Sequence, residues 1–228
     1  MTTMNNAQRI RFGGQQTPDG FLFELTGGDP ALDLANTLVN RTGPAPEELL
    51  GDYGALVNWA TQMKLVDAAE AAALRRKARK EPAAAARVLR RAIELRETIF
   101  AIFADGDVSA ETLRKLELFT RQAARHRRLV GGRASRPPGG RDARPPLSVS
   151  WQWERGGLDQ MLWPVAEAAA ALLTSERRER VRVCARNPPC RWLFVDDSRR
   201  GNRRWCDMSV CGNRAKARRH YEKAKGRS

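Results

Sequence analysis

Apolar positions along the chain recur mostly at helical spacing, and only two short stretches alternate as a strand does. "FLFEL" at 21–25 is the first of these, and "TGGDP" ends it. Asp29 followed by Pro30 is a cap and first-turn pair, so "PALDLANTLVNR" predicts a helix. "TGPAPEELL" breaks it, and Tyr53, Leu56, Val57, Trp59 and Ala60 mark the next one. The Ala/Arg/Lys/Glu mixture at 67–80 is strongly helix-forming, and Pro82 stands where the first turn of a further helix tolerates proline. In that helix Leu89, Ile93, Arg96, Phe100 and Phe103 fall near one stripe, widened by Ile99 and Ile102. Leu113, Leu116, Phe119 and Ala123 repeat the pattern behind Ser109, an expected cap.

Residues 131–146 hold four Gly, four Pro and four Arg, a composition that predicts a mobile loop. "LSVSWQWE" resumes as a strand with Leu147, Val149, Trp151 and Trp153 on one side, and is expected to pair with "FLFEL". An Ala-rich helix over 159–174 leads into the charged "SERRER", a hinge between domains. The pattern predicts a mainly α (α+β) protein. A flexible tail, 1–20, would precede a helical body over 21–175, and a C-terminal module would occupy 180–225.

Charge changes the picture most. The 228 residues carry 41 Lys+Arg against 26 Asp+Glu, a net +15 with a pI near 10.8. From 176 onward there are 17 basic and 6 acidic residues, a net +11, which leaves only +4 for the first 175. Such an excess predicts an anionic partner, most often nucleic acid, and locates it at the C-terminal quarter. No segment has the ~20 apolar residues of a membrane span, and "MTTMNNAQRIRFGG" lacks the apolar run of a signal peptide. A cytoplasmic protein that does not engage membranes is expected.

In that compartment thiols stay reduced, and all four cysteines crowd into the basic quarter. Cys184, Cys190, Cys206 and Cys211 spell C-x5-C, fifteen residues, then C-x4-C. Two close pairs and a linker of this size build a tetrahedral zinc site. Four reduced core cysteines are the competing reading, but so small and charged a module has too few apolar groups to fold alone. A structural zinc contributes an apparent ~10 to 16 kcal/mol. "RWLFVDDSRRGNRRWC" reads as strand, turn and strand, and Cys211 as the head of a last helix, the outline of a treble-clef finger. His220, nine residues beyond Cys211 and so about 13 Å along a helix axis, is expected not to ligate.

On a helical wheel Asn213, Ala217, His220, Tyr221 and Ala224 form the face expected to pack on the hairpin. Arg214, Arg218 and Lys225 share a flank, with Lys216, Arg219 and Lys223 on other exposed positions. Arg199, Arg200, Arg203 and Arg204 lie around the hairpin tip. The candidate nucleic-acid contacts are Arg199, Arg200, Arg203, Arg204, Asn213, Arg214, Lys216, Arg218, Arg219 and Lys223. Whether Asn213 and Arg214 reach base edges is open from sequence.

The segment "CARNPPCRWLFVDDSRRGNRRWCDMSVCGNRAKARRHYEK" resembles the CGNR zinc finger of bacterial proteins, through Cys211 to Arg214 and the run F-x-D-x-S-x-x-x-x-R-x-W-C at 194–206. "GGDPALDLANTLVNR" resembles the opening of the ABATE domain, which accompanies this finger in a family named for stress-induced transcription regulation. The resemblance implies one structural Zn2+ held by the four cysteines, DNA binding, and a regulatory role for the N-terminal domain.

"LDLANTLVN" places Asp33, Asn36, Thr37 and Asn40 along one side of the expected helix, where they could orient a small-molecule effector. Asp29 reads as a cap and His126 as an exposed residue. No GxSxG, HExxH or phosphate-loop pattern occurs, so no enzyme is expected. The expectation is a DNA-binding transcription regulator with an effector-sensing or oligomerisation domain, which would serve a homodimer. An RNA- or ribosome-associated zinc protein, or an N-terminal enzyme targeted by the finger, are the alternatives.

Overall fold

The computed structural model of the chain describes residues 10–11, 13–18, 20–133, 147–186 and 190–226. Six helices build the body: α1 (Pro30–Ala35), α2 (Tyr53–Gln62), α3 (Ala68–Lys80), α4 (Pro82–Asp105), α5 (Ala110–Arg125) and α6 (Leu162–Thr174). The longest, α4, runs through the middle and touches the other five. Pro82 opens it, and Gly106, at φ +70, closes it in the left-handed conformation that a side chain would strain. Its buried face, including Ala92, Leu95, Ile99 and Ile102, meets Leu32, Trp59, Met161 and Val165 in one core. The expected caps form: Asp29 accepts from the Ala31 N–H at 3.0 Å and Ser109 from the Thr112 N–H at 3.3 Å. Asp67 and Glu70 close a reciprocal capping box on α3.

Four features differ from the sequence pattern. The first helix stops at Ala35 and does not run on to Arg41. Thr37 Oγ1 donates back to the Leu34 carbonyl, and the chain turns into β4 (Leu38–Val39), which pairs with β5 (Glu47–Glu48). Secondly, 21–25 and 147–153 do not pair with each other. β3 (Gly20–Phe23) joins β2 (Gly14–Thr17), itself joined to β1 (Ile10–Arg11), so part of the expected tail is sheet. β7 (Leu147–Trp153) pairs along its whole length with β6 (Arg127–Arg133). Both strands take a partner near in sequence, for which closure costs less entropy than a pairing across the whole body. Gly131 and Gly132 of the expected loop belong to β6, and 134–146 lie outside the described residues.

Thirdly, the expected hinge is a 3₁₀ turn, Glu176–Arg180, that feeds directly into β8 (Val181–Val183). β8 pairs with β9 (Leu193–Val195), and Leu193 and Val195 are buried in the same core as α1 and α4. Lastly, His126 is not simply exposed: its ring stacks on Trp163 at 3.9 Å and Nδ1 lies 2.9 Å from a Glu154 oxygen. Among the described residues no helix is long and apolar enough to cross a membrane.

Candidate metal centre and nucleic-acid interface

The strand pair β8–β9 brings the first two cysteines together. Cys184 follows β8 and donates its N–H to the Trp192 carbonyl at 2.8 Å, extending the ladder by one residue towards Cys190. The Ala185 N–H donates to the Arg204 carbonyl at 2.9 Å, which draws the second cysteine pair alongside. The hairpin expected between 192 and 206 is absent, because β9 pairs with β8 along one edge and bonds Asn36 and the Gly27 carbonyl along the other. A loop replaces it, organised by the buried carboxylate of Asp196. One oxygen accepts from the Ser198 N–H at 3.0 Å and the other from the Arg203 N–H at 2.9 Å. The Arg203 guanidinium lies 4.4 Å from the Phe194 ring centroid and donates to the carbonyls of Trp205, at 2.9 Å, and Cys206. The Phe, Asp, Ser, Arg, Trp and Cys of the 194–206 run thus belong to one hydrogen-bonded loop that carries Cys206.

Cys211 sits in a π-helical turn, Met208–Gly212, not at the start of the helix itself. Asp207 caps this turn by accepting from the Val210 N–H at 2.8 Å. A Cβ at Gly212 would come within 2.4 Å of the Met208 sulfur, so a side chain there would displace the exposed Met208 side chain. The Asn213 amide donates to the Ser209 carbonyl at 2.9 Å. From there α7 (Asn213–Lys225) leaves the centre.

The four Sγ atoms lie within 4.8 Å of one another, with Cys190 to Cys206 at 3.9 Å and Cys206 to Cys211 at 3.5 Å. Four sulfurs around one zinc at ~2.3 Å would stand about 3.8 Å apart, so the donor set fits. All four are buried, over a cushion of Val39, Trp192 and Phe194. In such a cluster the thiols cannot ionise independently. Hydrogen bonding among them pulls Cys184 down, by Cys190 first, and pushes Cys190 and Cys206 up, in each case by Cys184 first. A divalent cation relieves that competition by favouring the thiolate at every position. Cys184, Cys190, Cys206 and Cys211 hold one structural Zn2+, and closure by four thiolates leaves no coordination position for catalysis.

The expected packing face of α7 does not exist. Asn213, Ala217, His220, Tyr221 and Ala224 are all exposed, Tyr221 at 64 %. None of the helix is buried, and only Ala215 is half-covered among its described residues. Lys216, Arg218, Arg219 and Lys223 are exposed on it, as are Arg199, Arg200 and Arg204 on the loop. Arg218 pairs with Glu222 at 2.7 Å. Arg214, also exposed, lies at the base of the helix near Glu24, whose carboxyl is raised by burial and partly lowered again by Arg214. Arg203 is turned inward. Between α7 and the loop, Arg204, Trp205, Arg218 and Arg219 line a cleft of about 290 Å³.

The structure does not gather the effector candidates into a pocket. Asp33 is buried, accepts from the Gly27 N–H at 2.8 Å, and has its carboxyl pushed up to about 6 by burial. Asn36 is buried against β9: its amide donates to the Leu193 carbonyl at 2.9 Å and its oxygen accepts from the Leu193 N–H at 2.8 Å. Asn40, at φ +53, donates to the Ala45 carbonyl at 3.1 Å. All three hold backbone. A larger cleft, of about 570 Å³, lies elsewhere, between the start of α2, the end of α3 and the start of α4. Its two arginines, Arg75 and Arg79, read in sequence only as part of a charged helix.

A helical body joined to a four-thiolate zinc centre, with a cationic helix issuing from the metal, defines the class. Residues 28–176 match the model of the ABATE family, described as "Putative stress-induced transcription regulator", and 180–224 match that of the CGNR zinc finger. The chain belongs to the ABATE family and carries a CGNR zinc finger at its C-terminal side. Neither is a family of enzymes. No curated protein matches the chain.

Proposed function

We propose that the protein is a cytoplasmic transcription regulator that binds DNA through α7 and the adjoining arginine loop, under the control of its helical body. The observation that carries this reading is α7 itself. It has no buried residue and bears Arg214, Lys216, Arg218, Arg219, Lys223 and Lys225 against the single acid Glu222. A helix of 13 residues, about 20 Å long, suits a major groove about 12 Å wide. Its cations would meet phosphates on both walls, and the loop arginines 199, 200 and 204 would extend the contact along one strand. Zinc supplies the fixed starting point, because the π-helical turn that launches α7 contains Cys211. Asn213 and Arg203 support that turn and loop, so we assign them to positioning and not to base reading.

Selection of bound fragments from a genomic library tests the proposal. Enrichment of one duplex motif is expected, with log affinity falling against log salt at a slope of about −5 for some six phosphate contacts. Preferential recovery of structured RNA, or a flat salt response, would overturn it.

A further inference from the structure

The 570 Å³ cleft is built like a receptor for an amphipathic anion. Its floor is apolar, from Ala78 at the end of α3 and Pro82, Ala85 and Leu89 at the start of α4. Arg75 and Arg79 stand over that floor one helical turn apart, and neither pairs with an acid among the described residues. Lys115 with Glu111 and Arg218 with Glu222 show the alternative arrangement, in which a helical cation meets a carboxylate at i, i+4. Two like charges at i, i+4 repel, and an anion between them would turn that cost into two charge-assisted contacts. The acid at the rim, Asp52, is engaged in capping α2, where it accepts from the Ala55 N–H at 2.7 Å. It leaves the cleft a net positive charge and disfavours a ligand carrying two negative charges. The cleft is open to solvent, with a volume in the range of small-molecule sites.

We infer that this cleft binds a small monocarboxylate with an apolar body, its carboxylate forked between Arg75 and Arg79 and its hydrocarbon part laid on Ala78, Pro82, Ala85 and Leu89. The inference does not rest on DNA binding, and the two can fail separately. It also moves the sensing site from the stripe at 33–40 to the opposite end of the body's longest helix from the metal module, since Asp105 at the far end of α4 pairs with Arg191 beside Cys190.

The experiment is an NMR titration of the full zinc-loaded chain with octanoate, 1-octanol and octylamine, following the arginine Nε–H signals. Octanoate should saturate one site and bind at least about tenfold more tightly than the neutral or cationic analogue, with shifts at Arg75 and Arg79. Arg75→Gln with Arg79→Gln should abolish that preference and leave octanol binding as it was. The exposed control Arg76→Gln, outside the cleft, should change neither. Ala86→Trp, at an exposed position of the cleft wall, should block both ligands without lowering Tm. Equal affinity for the three probes, no saturation by 10 mM octanoate, or indifference to the double variant would overturn the inference. So would self-association in the ultracentrifuge that Ala86→Trp abolishes, which would make the cleft a contact between two copies.

Discussion

Two helices of this protein, α4 and α7, are fixed in place by opposite means. α4 buries eight side chains along its 24 residues and is located by contacts over its whole length. α7 buries none of its 13 and is located at one end, by a π-helical turn tied to sulfur. Deleting one contact of α4 leaves the others to hold it. Loss of the metal leaves α7 a short, highly charged segment, which is marginal as a helix in water. The difference suits their work, because a side chain buried against the body is unavailable to a nucleic acid. Between the two stands β9, which puts Leu193 and Val195 into the core around α4 and Phe194 under the cysteines.

The severest test of that contrast is Cys206→Ser. Zinc content measured by native mass spectrometry should fall from one to none, since the apparent binding energy of a structural zinc, ~10 to 16 kcal/mol, depends on a complete set of thiolates. Far-UV circular dichroism should lose helix equivalent to α7, while a cooperative unfolding transition from the body persists. Retention of zinc and of the full helical signal would show that α7 is held by something other than the metal. Asn36→Ala probes the joint. It leaves the Leu193 N–H and carbonyl without the partners that Asn36 gives them inside the core, at a cost of about 3 kcal/mol in denaturant unfolding. A loss below about 1 kcal/mol would mean that β9 is seated by its apolar side chains alone.

That joint was also where sequence reasoning stopped. Periodicity, composition and capping chemistry located α2 to α6 because those signals are local: the Ala/Arg/Lys/Glu mixture at 67–80, Ser109 at a cap, Pro82 at a first turn. The cysteine spacing located the metal centre for the same reason. Asn36 and Leu193 are 157 residues apart, and nothing local to "LDLANTLVN" distinguishes an asparagine that completes a distant strand from one facing water or a ligand. The wheel of α7 misled in a similar way. It placed Tyr221 and two alanines on one side, but a stripe is a packing face only where the fold supplies a surface, and none reaches it. Arg203 stood apart from Arg199, Arg200 and Arg204 only as the arginine of the 194–206 run, and that run does not reveal the inward path set by Asp196.

The smallest expected effect is the most direct comparison of the two helices, the same substitution made once in each. Ala92 on α4 is fully buried and Ala217 on α7 is exposed. Glycine in a helix interior costs about 1 kcal/mol relative to alanine through backbone entropy alone. At Ala92 that cost falls on the cooperative unit, and removal of the buried methyl adds to it, so global stability in denaturant should drop by about 1 to 2 kcal/mol. At Ala217 the same intrinsic cost falls on a helix with no buried residue. Global stability should move by less than about 0.5 kcal/mol, while amide hydrogen exchange along α7 beyond Ala215 should speed up about fivefold, the equivalent of roughly 1 kcal/mol in local opening. Equal losses in the two variants would show that α7 unfolds with the body, and the contrast drawn between an anchored and a packed helix would be wrong.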